Sequence, residues 1–143
     1  MLSIDRNGII CMSRGDSWKT SIFLNLGTIL EPAAYNLKEN DYVYFGVMEP
    51  NQPFEDALIR KKLGYEDRTP IDSASSCDID KDNYKDGCVD IYFESKDTEY
   101  VLPGVYYYEV KLVRPVEDEG AKKRGITESI DTIIPKTKFI ILD

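Results

Sequence analysis

Hydrophobic and polar positions alternate most regularly over residues 98–113, TEYVLPGVYYYEVKLV. Pro103-Gly104 suits a tight turn, because Pro presets its own φ and Gly accepts a positive one. Beyond it Tyr106, Tyr108, Val110 and Leu112 fall on one side, and Tyr107, Glu109 and Lys111 on the other. A period of two built from aromatic and β-branched residues predicts a strand with one buried face. Such a strand needs a sheet beside it and a second layer beneath it.

The rest of the chain supplies candidates. Residues 3–5 and 9–13 are short apolar runs separated by Asn7-Gly8, a strong short-range hairpin signal. Residues 18–26 alternate with the even positions inward. A short strand is expected at 28–30. Residues 42–49 (YVYFGVME) are apolar at nearly every position, as in a central strand covered on both faces. Residues 57–63 (ALIRKKL) fit either helical spacing or an edge strand guarded by Arg60, Lys61 and Lys62. Residues 64–87 show no periodicity and read as a long loop, of a length that is usually functional or disordered. Residues 88–94 alternate with Val89, Ile91 and Phe93 inward. A charged loop follows at 115–125. Residues 126–134 and 136–142 read as two strands divided by Pro135, at a strand boundary or a switch between sheets. Eight or nine strands with turn signals between them, and no predicted helix, make an all-β antiparallel sandwich or barrel. No repeat or linker marks a second domain, so residues 1–143 are expected to form one.

Composition narrows the chemistry. Ten of the sixteen aromatic residues are Tyr, which suits strands and wet interfaces, since the ring buries while the hydroxyl stays solvated. The net charge of −8 opposes non-specific binding to nucleic acid or anionic lipid. There is no apolar run long enough to span a bilayer and no signal-peptide h-region, so synthesis in the cytoplasm is expected. Cys11, Cys77 and Cys88 lack a CxxC spacing and read as free thiols, with a Cys77–Cys88 loop closure as the alternative. Histidine is absent, which removes His-based triads, His-ligated zinc and His general bases.

Three features are candidate sites. Asp78, Asp80 and Asp82 in CDIDKDNYKDGC resemble the start of an oxygen-ligand calcium loop. The match fails at the sixth position, Asn83 rather than Gly, and at the twelfth, Val89 rather than Glu. A solvated acidic loop accounts for them too, because residues 66–90 hold eight acidic and three basic side chains. Arg14-Gly15-Asp16 is the tripeptide that integrins recognise, and it is equally a turn, with Gly supplying the bend and Asp capping it. Tyr42, Tyr44, Tyr92 and Tyr107 take solvent-facing positions and read as a carbohydrate- or protein-binding face, or as cross-strand aromatic packing. No GxSxG elbow, Gly-rich phosphate loop or spaced carboxylate pair stands out, so no residue is assigned a catalytic role and no cofactor is expected.

The order of motifs carries a resemblance. SRGDSWKTSIFLNL leads to the central strand at 42–49, then to the basic ALIRKKL, to DGCVDIYF at 86–93, to LPGVYYYE at 102–109 and to DTIIPKTKF at 131–139. This set resembles the immunoglobulin-like N-terminal module of upper baseplate proteins and related tail or virion-surface proteins of phages and prophages infecting Gram-positive bacteria. It covers about residues 9–142. The resemblance implies an antiparallel immunoglobulin-like β-sandwich that acts as a non-enzymatic assembly module in the virion tail. Its partners would be other tail or baseplate subunits, or further copies of itself. Those proteins carry further segments after the module, so a stand-alone accessory subunit fits as well as a true baseplate protein. The resemblance identifies no catalytic residue.

Overall fold

The computed structural model describes residues 2–28, 30–67 and 87–143. Among them are eight strands: β1 (Ser3–Ile4), β2 (Ile10–Ser13), β3 (Trp18–Phe23), β4 (Tyr42–Met48), β5 (Ile59–Gly64), β6 (Cys88–Phe93), β7 (Gly104–Pro115) and β8 (Glu128–Leu142). Six form one sheet in the order β1-β2-β8-β7-β4-β5, and β3 pairs with β6 in a second. The all-β expectation holds. The wholly antiparallel one does not, because β2 runs parallel to β8, Ile10 opposite Phe139 and Ser13 opposite Leu142. The first hairpin forms as expected. Gly8 takes φ +82°, and the Asp5 carboxylate accepts the N–H groups of Asn7 and Ile9 at 2.8 and 3.0 Å.

Alternation sets which side chains meet. Val43, Phe45 and Val47 of β4 face Leu112, Val110 and Tyr108 of β7, and all six are buried. Val89, Ile91 and Phe93 of β6, with Thr20 and Ile22 of β3, supply the opposing layer. The centre is aromatic. Phe45 stacks on Tyr108 at 5.3 Å and meets Phe93 edge-on at 5.5 Å, while Phe139 lies 5.7 Å from Phe93. Offset and edge-to-face pairs of this kind add about 0.5–1.5 kcal/mol each beyond their burial. Tyr108 keeps its hydroxyl satisfied inside this core by donating to the Gly8 carbonyl, which ties the first hairpin to β7.

Several expectations need correction. Residues 57–63 are not helical. Leu58 passes through the bend and β5 is an edge strand, as its basic run allows. Pro135 does not divide two strands. β8 is continuous, and Pro135 lies where its register against β7 shifts between Tyr108↔Thr137 and Val110↔Ile134. A β-bulge absorbs a residue without a ladder hydrogen bond, so a Pro is tolerated there. A second shift follows before Lys111↔Thr132. On its other side β8 is covered by β2 only from Phe139 onward. Thr28 and Leu30 are not in a strand; Leu26 and Thr28 instead bond Ala33 and Glu31 in a tight loop.

Two short helices were also unforeseen. α1 (Ser95–Thr98) is held by Asp97, which accepts the Glu94 N–H at 2.8 Å. α2 (Glu119–Lys123) fills part of the charged loop, with Asp118 capping the N–H groups of Gly120 and Ala121. Residues 68–86, which hold most of the long loop together with Cys77, Asp78, Asp80 and Asp82, lie outside the described residues. Cys11 is a free thiol.

Candidate functional site: the outer face of the large sheet

The four tyrosines do not share one face. Tyr42 and Tyr44 on β4 and Tyr107 on β7 stand on the outer side of the six-stranded sheet, whereas Tyr92 belongs to β6 in the other sheet. Pairing decides this. Sequence alternation places each ring outward from its own sheet but does not say which sheet that is.

On the large sheet the register lays out rows across the strands. Lys62, Tyr44, Lys111 and Thr132 form one row, and Arg60, Gly46 and Glu109 the next. Tyr42 and Val113 lie on one side of these rows, Met48 and Tyr107 on the other. Gly46 matters because a side chain there would collide with Phe54: an added Cβ would sit 2.7 Å from the ring. The turn at Phe54–Asp56 therefore folds over the sheet and roofs β4. Phe54 was missed in the sequence. The available signal was a Gly inside an otherwise bulky strand, which marks a close approach.

The ammonium groups on this face rest on rings. Lys62 Nζ lies 4.0 Å from the Tyr42 centroid and 5.5 Å from that of Tyr44. Lys111 Nζ lies 4.8 Å from the Phe54 centroid, and its nearest carboxylate oxygen, on Glu109, is 4.0 Å away. Such contacts attract through the ring quadrupole and leave the ammonium hydrogens available. Arg60 is aimed by donating to the Glu55 carbonyl.

A depression of about 330 Å³ opens between Tyr44, Phe54, Arg60, Lys111 and Ile130, with Glu55 and Glu128 on its lining. A second, of about 240 Å³, shares Val113 and Glu128 with it and runs past Tyr42 and Arg114. Beneath the far end the Tyr35 hydroxyl donates to the buried Asp41 carboxylate. Burial first, and that carboxylate second, push the Tyr35 pKa up to about 12. Arg114 is neutralised by Asp131 at 2.6 Å. The first depression thus brings together apolar and aromatic side chains, two cationic groups and two carboxylates.

The small sheet carries a separate depression of about 330 Å³ lined by Ser17, Trp18, Lys19, Tyr92 and Phe93. Trp18, the single tryptophan, is 50% exposed and Tyr92 59%. The Arg-Gly-Asp segment forms a turn. Gly15 has φ +81°, Asp16 N–H bonds the Ser13 carbonyl, and Arg14 pairs with Asp143 at 2.6 Å. Among the described residues no three His, Cys, Asp or Glu side chains gather as metal ligands, and no helix is long and apolar enough to cross a membrane. No family model, curated protein or solved structure matches the chain.

Proposed function

We propose that this chain is a non-enzymatic structural protein of a phage or prophage tail, folded as an immunoglobulin-like sandwich and acting through protein–protein contacts. The ordered motifs from SRGDSWKTSIFLNL to DTIIPKTKF support the tail assignment. The finer fold reading is supported by the start of β7. There the Tyr106 hydroxyl donates to the Leu102 carbonyl at 2.5 Å, four residues upstream, a bond that resembles the tyrosine corner of immunoglobulin-like domains. On that reading Tyr108, two residues further, would correspond to the second bridge cysteine and Phe45 on β4, stacked on it at 5.3 Å, to the packed tryptophan.

The observation that carries the functional reading is the outer face of the large sheet. Tyr42, Tyr44 and Tyr107 stand on it, half-buried, beside Arg60 and Lys62. Tyr and Arg are the residues that anchor protein interfaces. Mass spectrometry of tail particles purified from an induced culture tests it. The chain should appear at a fixed stoichiometry with known tail proteins. Particles that form without it overturn the assignment.

A second reading, a glycan-binding module, is favoured by one observation: half-exposed Trp18 and Tyr92 line one depression together with Phe93. Titration with cell-wall polysaccharide should then shift the emission of Trp18. An unchanged spectrum at saturating polysaccharide removes this reading.

A further inference from the structure

We propose that the depression between Tyr44, Phe54, Arg60 and Lys111 docks an acidic segment of a partner protein, with Lys62 and Lys111 pairing its carboxylates. This rests on the reading of the outer face as a contact surface and names what the face accepts. Two cationic side chains, Arg60 and Lys111, line the depression, and a third, Lys62, stands beside it over the Tyr42 and Tyr44 rings, in a chain whose net charge is −8. Among the described residues Lys62 makes no ion pair, and its ammonium lies on the Tyr42 ring. Lys111 reaches a carboxylate only at 4.0 Å.

An uncharged partner covering this surface would take the Lys62 ammonium out of water without a counter-charge and leave Lys111 with only its long contact to Glu109, which is costly. A carboxylate removes that cost, and the rings keep each ammonium in place to receive it. Tyr44, Phe54 and Ile130, the last 61% exposed, accept an apolar side chain between the carboxylates. Glu128 and Glu55 border the site and repel a segment that is acidic at every position. The matching partner therefore alternates carboxylate and apolar residues. The chain's overall negative charge does not forbid this, since fields decay over about 8 Å at physiological salt.

The test is anisotropy of a fluorescein-labelled peptide of alternating glutamate and leucine, with the lysine–leucine peptide as control. The glutamate peptide should bind and the lysine peptide should not. Lys62→Glu and Lys111→Glu should each weaken binding about tenfold or more, and added salt should weaken it further. Lys123→Glu, an equal charge change on the exposed helix α2, should leave it unchanged. Lys62→Gln covers the case in which a reversal fails to fold. Absence of glutamate-peptide binding, equal binding of both peptides, or indifference to the Lys62 changes overturns the inference. A chain that sits in tail particles yet ignores the peptide sinks this inference alone. A chain that binds the peptide but is absent from particles sinks only the tail assignment.

Discussion

The Tyr106 hydroxyl donates to the carbonyl of Leu102, four residues upstream, across the bend that leads from α1 into β7. The ring of Tyr106 is buried on the inner side while its hydroxyl reaches back across Pro103-Gly104. One side chain thus fixes both the bend and the first inward position of the strand. Tyr106→Phe keeps the ring and loses the bond, at a cost of about 1 kcal/mol. A thermal melt should fall by about 3–5 °C with the far-ultraviolet spectrum unchanged. An unshifted melt would show that the bend is set by Pro103-Gly104 alone.

Tyr108 makes stability sensitive to alkali. Burial, with a smaller contribution from Asp5, pushes its pKa from 10.0 up to about 12. The folded chain holds the phenol proton more tightly than the unfolded one. That contribution is complete below pH 10 and is lost as pH rises towards about 12. Tyr35 is raised to about 12 as well, by burial and then by its bond to Asp41. Urea midpoints measured on both sides of pH 10 should fall with rising pH. Tyr108→Phe should lower the midpoint at neutral pH, because the Gly8 carbonyl loses its donor, and should make the alkaline fall shallower.

Gly46 and Phe54 should behave as a coupled pair. Gly46→Ala places a methyl 2.7 Å from the Phe54 ring and 3.2 Å from Ala57. Overpacking of this kind costs about 1–3 kcal/mol. In a Phe54→Ala background the same change should cost distinctly less, and chemical denaturation of the four variants measures the difference. Equal costs in both backgrounds would mean that Phe54 does not roof Gly46 in solution.

The strands were legible where one face is buried, and their partners were not. Residues 88–93 and 104–113 alternate cleanly because Ile91, Phe93, Tyr108 and Leu112 face the core. Nothing in that alternation says that β6 pairs with β3, so Tyr92 was grouped with tyrosines of the other sheet. The parallel contact of β2 with β8 joins the two ends of the chain, and no local pattern encodes it. Helices α1 and α2 have four and five residues, too few for a helical period to appear. At the candidate site Tyr42 and Tyr44 were visible as outward positions. Lys111 was also visible as an outward position, but Phe54 and Ile130 were not brought to it, because the three come from separate elements.

Thr98 ties the Arg-Gly-Asp turn to α1. It is fully buried, and its hydroxyl accepts the Gly15 N–H at 2.8 Å. Thr98→Val keeps the shape and leaves that N–H without its acceptor, a loss of about 1–3 kcal/mol. Hydrogen exchange at Gly15 should accelerate more than at strand amides such as Val110. Unchanged exchange at Gly15 would mean that the turn is held by Arg14 and Asp143 instead.

The irregular run of β8 around Pro135 bears on how the molecule behaves at high concentration. An uncovered strand edge rich in isoleucine is a template on which other chains can grow sheet by sheet. Among the described residues no strand pairs with 128–138 on the side away from β7, and Ile130, Ile133 and Ile134 lie within that stretch. Two register shifts twist it, so an incoming strand cannot keep step for more than a few residues. What looks like a flaw in the hairpin is a guard on colloidal behaviour, hindering disordered assembly through this edge.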